Sequence, residues 1–171
     1  MPAPQAFAAR IATDAIQACL NTGVWPSVVL AQAIEESGSG GSKLAAYNNL
    51  FGHMASATWF GQRIQLVPNG KFWRVYSSIA ACISAHISIL KRPRYFMAGV
   101  TQAKTPEAQA AALQSAGYNE GPDRAQYAAK LITIIRQLDL KQYDAMMENL
   151  ERKKNSGQTY QQLGPIKKLS V

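Results

Sequence analysis

Two adjacent carboxylates, Glu35 and Glu36, precede a glycine-bearing run, Ser37-Gly38-Ser39-Gly40-Gly41, and they are the residues in this chain best placed for proton chemistry. A side chain that donates a proton near neutral pH must be held in its neutral form until it is needed, which apolar neighbours and the negative end of a helix both favour. Both influences act on Glu36. Pro26 suits a first helical turn and Gly38 a position just past a helix end. On a wheel of about 100° per residue, Pro26, Val29, Leu30, Ala33, Ile34 and Ser37 share one face. Glu36 lies at the border of that face, roughly 90° from its centre, whereas Glu35 points roughly 170° away. Glu36 is therefore the carboxylate that can be half desolvated and serve as a general acid. The glycines beyond it allow a bulky polymer to approach the backbone. Taken alone, the stretch is equally a surface helix with two solvated glutamates and a flexible cap.

The chain of 171 residues is long enough for one domain with a real core. Its net charge of +8 and pI near 9.7 suggest an acidic partner. No Asp or Glu occurs between Glu36 and Glu107, while Lys43, Arg63, Lys71, Arg74, Lys91, Arg92, Arg94 and Lys104 accumulate there. Nucleic acid and an anionic cell wall both satisfy the charge, but no helix-turn-helix, zinc or RNA-binding signature supports nucleic acid. No apolar run approaches the roughly 20 residues that span a bilayer, and no membrane partner is expected. The first residues, Met1-Pro2-Ala3-Pro4-Gln5-Ala6-Phe7, lack the basic start of a secretory leader. Action outside the cytoplasm would then need a specialised secretion machine or a phage lysis route. Cys19 and Cys82 sit among apolar helical residues and read as buried free thiols, with a disulfide as the alternative in an oxidising space. Two cysteines and two histidines, widely separated, give no metal-ligand spacing, and no cofactor is expected.

The elements that would position Glu36 are mostly helices. Pro4 to Thr22 is an amphipathic helix with Phe7, Ile11, Ile16 and Leu20 inward and Gly23 as its stop. Arg63–Val67 and Lys71–Tyr76 are two strands joined at Pro68-Asn69-Gly70, a strong hairpin signal. Ser77 or Ser78 caps a helix with Ile79, Ile83, Ile87 and Leu90 in line, closed by Pro93, and His86 beside that line reads as a packed histidine. Thr105-Pro106-Glu107 starts another helix, which runs to about Ala116. After the loop from Gly117 to Pro122, a helix from Asp123 to Leu138 turns Tyr127, Leu131, Ile134 and Ile135 inward. The reading places one domain at 1–140 and a C-terminal helix and tail at 141–171, where Tyr143, Met146, Met147 and Leu150 allow a further turn or two.

Four blocks in order resemble the glucosaminidase family of peptidoglycan hydrolases, glycoside hydrolase family 73. Ala31-Gln32-Ala33-Ile34-Glu35-Glu36-Ser37-Gly38 is similar to the family's helix ending in Glu-Ser-Gly, which implies that Glu36 is the catalytic acid. Asn48-Asn49-Leu50-Phe51-Gly52, followed by Trp59 and Gly61, matches its Asn-Leu-Phe-Gly element. Trp73-Arg74-Val75-Tyr76 is similar to its Phe-Arg-x-Tyr strand end, and Gly117-Tyr118 with Tyr127-Ala128-Ala129-Lys130-Leu131 to its late tyrosine block. The resemblance implies an α+β, predominantly helical, lysozyme-like fold with a small β-hairpin lobe and a glycan running between the lobes. It also implies endo-cleavage of the β-1,4 bond between N-acetylglucosamine and N-acetylmuramic acid, with Tyr118 beside the acid. Tyr47, Asn49, Phe51, Trp59, Trp73 and Tyr76 are then the candidate sugar contacts, each with a core role as its alternative.

Two departures bear on mechanism. The second carboxylate that the family often carries on its hairpin is absent from Arg63–Val75, so a standard acid pair is not readable; the 2-acetamido group of the substrate or Tyr118 would stabilise the cationic centre, with Glu120 or Asp123 as remoter bases. The aromatic of a Gly-Trp-Gly element is Ser39 here. Other readings are a muramidase or lytic transglycosylase, and a catalytically decayed wall-binding protein. An antibacterial toxin or a phage lysin fits the small size, and a toxin would require a cognate immunity protein that occludes the cleft.

Overall fold

The computed structural model describes residues 3–119 and 121–156. Among the described residues seven α-helices and one two-stranded antiparallel sheet follow in the order α1 (Pro4–Cys19), α2 (Pro26–Ser37), β1 (Arg63–Gln65), β2 (Phe72–Arg74), α3 (Ile79–Leu90), α4 (Pro93–Met97), α5 (Pro106–Ser115), α6 (Tyr127–Gln137) and α7 (Lys141–Asn155). This is the expected α+β, mainly helical architecture.

Helix α2 is the centre of the helical lobe. It packs against α1, α5, α6 and α7, and every residue from Pro26 to Ile34 is buried, as is Ser37. The wheel therefore understates its burial: neighbours on several sides bury Val28, Ala31 and Gln32 as well, leaving only Glu35 and Glu36 exposed. Gly38 ends the helix at φ 56°, where its N–H bonds the Ile34 carbonyl. A left-handed cap of this kind costs least at glycine. At the other end the side chain of Gln109, itself fully buried, accepts from Trp25 N–H at 2.9 Å and donates to the Gly23 and Val100 carbonyls at 2.9 and 2.7 Å. One amide thus fixes the turn from α1 into α2. At Gly23 (φ 75°) a Cβ would strike the Thr101 carbonyl oxygen, so the position has no room for any other residue.

The hairpin is shorter than its sequence pattern: Arg63, Ile64 and Gln65 pair with Arg74, Trp73 and Phe72. Asn69 takes φ 57° in the connecting turn. Ser78 caps α3, accepting from Ala81 N–H at 3.1 Å, and Thr105 caps α5 in the same way. Pro93 opens α4 rather than merely ending α3, because its fixed φ and missing N–H are tolerated in a first helical turn. The segment from Asp123 is a 3₁₀ turn at Arg124–Gln126 before α6 begins. Cys19 and Cys82 are free and buried, and burial raises both thiols.

Helix α7 begins immediately after the proposed boundary at residue 140. It packs on α1 and α2 with Tyr143, Asp144 and Met147 buried, so it completes the core of the same lobe. The tail beyond it, and the alternative base Glu120, lie outside the described residues. No described helix is long and apolar enough to cross a membrane.

Candidate active site

Glu36 leaves the last turn of α2 at the edge of a groove of about 640 Å³ that runs between the helical lobe and the hairpin. The groove is lined by Phe51, Gly52 and His53 from the loop after α2, by Lys71, Trp73 and Arg74 from the hairpin, by Arg92, Arg94 and Tyr95 around α4, and by Tyr118 and Asn119. Among the described lining residues Glu36 is the single carboxylate.

Burial of the carboxyl and the negative charge of Glu35 raise the Glu36 pKa above its ordinary 4.5; a hydrogen bond from Tyr127 and the charge of Lys130 oppose the shift. The residue as a whole is exposed, yet its carboxyl sits beside Tyr127 and Tyr118. Tyr127 Oη donates to Glu36 Oε1 at 3.4 Å and accepts from Gln32 Nε2 at 3.0 Å. Glu35 instead pairs with Lys130 at 3.4 Å, and Lys130 also pairs with Asp123 at 2.9 Å. The two neighbours have the separate environments that the wheel predicts. Asp123 is committed to that exposed ion pair and does not line the groove, which removes it as a base at the reacting centre.

Tyr118 stands beside the acid. Its ring stacks on Tyr127 at 5.4 Å and meets His86 edge-on at 5.8 Å. Burial, with Tyr127 and Glu36 nearby, holds its phenol well above 10. It stays a neutral hydroxyl, suited to orienting a reacting sugar but not to attacking as a phenolate.

The expected sugar contacts divide. Phe51 and Trp73 line the groove. Asn49 lies outside the groove lining: it is buried, and its amide donates to the His53 and Arg74 carbonyls at 3.0 and 2.9 Å while accepting from His53 N–H at 2.9 Å. With all its bonds spent on backbone, it clamps the loop to the hairpin. Tyr76 is buried too, its hydroxyl 2.8 Å from His53 Nδ1. Trp59 lies under the Arg74 guanidinium at 4.5 Å and, with Tyr76, borders a separate groove of about 500 Å³. Tyr47 is half-buried outside the groove lining, where its carbonyl accepts from Tyr76 N–H at 3.1 Å. Cross-lobe packing, which motif spacing does not encode, decides each of these placements. Tyr127 reads from the sequence as an inward helix residue and Gln32 only as part of the first block, neither with a role beside the acid, although a glutamine inside so apolar a helix is a visible signal of a buried polar contact.

The glucosaminidase family model, described as mannosyl-glycoprotein endo-beta-N-acetylglucosaminidase, matches residues 12–140. The chain belongs to the glucosaminidase family. Among curated proteins it is 37% identical over 166 residues to peptidoglycan hydrolase FlgJ of Salmonella typhimurium, covering 84% of this chain and 51% of that protein. It is 33% identical over 143 residues to exo-glucosaminidase LytG of Bacillus subtilis, covering 75% of this chain and 49% of that one. The chain thus spans about half the length of these curated relatives. The solved glycoside hydrolase domain of Salmonella typhimurium FlgJ superposes with a TM-score of 0.68 at 35% identity, over 91% of this chain and 96% of that one. The glucosaminidase fold therefore extends over the helical lobe and the hairpin together.

Proposed function

We propose that this glucosaminidase-family chain hydrolyses the glycan of peptidoglycan at the β-1,4 bond following N-acetylglucosamine, with Glu36 as general acid. The observation that carries this reading is one partly desolvated carboxyl, hydrogen-bonded by Tyr127 and open to the groove between the lobes. Glu36 donates its proton to the glycosidic oxygen as the bond to the anomeric carbon breaks, and remains as a carboxylate. In place of a second acid, the 2-acetamido oxygen of the substrate stabilises the cationic centre, Tyr118 orients the ring, and water completes hydrolysis. Phe51 and Trp73 offer faces for sugar stacking. Lys71, Arg74, Arg92 and Arg94 around the groove complement the carboxylates of the peptide stems.

Digestion of purified sacculi, with mass analysis of the new reducing ends, tests the reading. N-acetylglucosamine at those ends is the expected result. N-acetylmuramic acid there would mean a muramidase, anhydro ends a lytic transglycosylase, and binding without release a decayed wall-binding protein. We also propose delivery to the cell wall by a specialised secretion system or a phage route. A toxin so delivered would be blocked by an acidic immunity protein seated in the basic groove, and co-purification with the product of the adjacent reading frame tests that partner.

A further inference from the structure

Behind the groove floor a series of buried hydrogen bonds crosses the core from Tyr76 to Glu36. Tyr76 Oη meets His53 Nδ1 at 2.8 Å, His53 Nε2 meets His86 Nδ1 at 3.1 Å, and His86 Nε2 meets Gln32 Oε1 at 3.0 Å. Gln32 Nε2 then reaches Tyr127 Oη at 3.0 Å, and Tyr127 Oη reaches Glu36. Gln32 and His86 are wholly buried and Tyr127 nearly so. Their polar atoms must therefore satisfy one another, since an unmade bond at such depth costs more than a made one contributes.

The types of atom at the two ends give the series a direction. The charge of the nearby Arg74 guanidinium acts on the Tyr76 hydroxyl, and a cation draws the oxygen lone pairs toward itself, so the Tyr76 proton is left to point at His53 Nδ1, 2.8 Å away. At the other end Glu36 Oε1 only accepts, both in the carboxylate and in the acid that carries its proton on Oε2. Between these ends, neutral rings with hydrogen on Nε2 and acceptors at Nδ1 let all five bonds run the same way, with the Gln32 carbonyl facing His86. Burial keeps both rings neutral: it lowers His53 to about 3, with Arg74 and Arg92 adding to the effect, and, with His53 beside it, holds His86 well below its ordinary value. Phe51 lies flat on His86 at 3.8 Å and 4°, which fixes the ring plane. Turning the Gln32 amide over would reverse every bond. Tyr127 would then donate into the core and accept from Glu36, taking up the acid proton.

We propose that Gln32, His53 and His86 are positioning residues that hold Tyr127 as a donor to Glu36 Oε1, so that the catalytic proton resides on Oε2 and is aimed at the glycosidic oxygen. The inference rests on Glu36 being the general acid. When Oε2–H protonates the leaving oxygen, the electrons of the broken C–O bond go to that oxygen, and the carboxylate left behind keeps the Tyr127 bond. Gln32 does not relay protons, so the series orients and polarises rather than supplying a proton. Other groups facing the acid are Glu35 on its own helix, Lys130 on α6 and Tyr118, with Lys71, Arg74, Arg92 and Arg94 across the groove. None of these differs in the variants below.

The chain has two histidines, so ¹⁵N-imidazole spectra of the intact protein assign readily with one variant. Both rings are expected as neutral Nε2–H tautomers at about pH 5 to 8. Nδ1–H at either ring, or an imidazolium in that range, overturns the proposal. His86→Phe keeps the stack on Phe51 but cuts the series. It should lower kcat about 3- to 10-fold, the value of one neutral hydrogen bond, with KM unchanged. Because the lost bond favoured the carboxylate, the alkaline limb of the kcat profile should move to higher pH. His86→Gln, whose amide can donate and accept in the same sense, should restore both. An unmoved limb in His86→Phe also overturns the proposal. Should that variant not fold, Tyr76→Phe removes the terminal donor and is read in the same way. A fully active Glu36→Gln would instead sink the general-acid reading beneath it.

Discussion

The two ends of helix α2 each hold a carboxylate displaced upward in pKa, and the contrast between them separates strain from function. At the N-terminal end Asp144 of α7 accepts the Ser27 N–H at 2.8 Å, in a place where the helix dipole and that bond both favour the charged form. Burial nonetheless outweighs them and lifts Asp144 from 3.8 to about 6. Its Oδ2 and the Ser27 hydroxyl both remain buried without a well-formed partner. At the C-terminal end Glu36 is lifted by burial and by Glu35, and there the dipole acts in the same direction. Only Glu36 opens onto a groove. A raised carboxyl thus reports desolvation; it becomes an acid catalyst when a substrate oxygen can reach it.

The largest effect that would break this contrast is on turnover. Glu36→Gln should lower kcat on sacculi by about 10²–10⁴-fold or more, the range for losing a general acid, while Asp144→Asn leaves kcat unchanged; matched reducing-end assays decide it. Next comes Tyr127→Phe, which removes the donor to Glu36. We expect about a tenfold loss in kcat and an alkaline limb moved to higher pH, read from a full pH profile. The sign follows from the Tyr127 bond, which lowers the Glu36 pKa.

Smaller effects sharpen the other side. Because the folded pKa of Asp144, about 6, exceeds its ordinary 3.8, the fold binds this proton more tightly than the unfolded chain. That contribution to stability is present below about pH 4 and is lost as pH rises through about 6. Asp144→Asn should therefore raise stability at pH 7 by on the order of 1 kcal/mol and flatten its dependence between those values, as thermal melts at several pH values will show. Smallest of all, Glu35→Gln breaks an exposed pair with Lys130 and should change kcat less than threefold.

Much of this was legible along the chain. Local rules located the Gly38 stop, the Ser78 and Thr105 caps and the Asn69-Gly70 turn, because a cap or turn depends on a few consecutive residues. Helical phase distinguished Glu36 from Glu35 for the same reason. The wheel left Gln32 off the buried face, and nothing in the sequence marked Asp144, because the surroundings of both come from helices far apart in sequence. It could not foresee that Asn49 and Tyr76 are spent inside the protein while Phe51 and Trp73 face the groove.

By itself, then, the sequence determined the order of elements, the acid at the end of α2 and the acid-free basic stretch, all set by local geometry and composition. The tertiary structure decided which cations gather at the groove, which aromatic residues stay free for a sugar, and how Gln32, His53, His86 and Tyr127 join behind Glu36. Those outcomes depend on burial shared among distant segments, and a buried polar atom takes whichever partner the packing brings within reach.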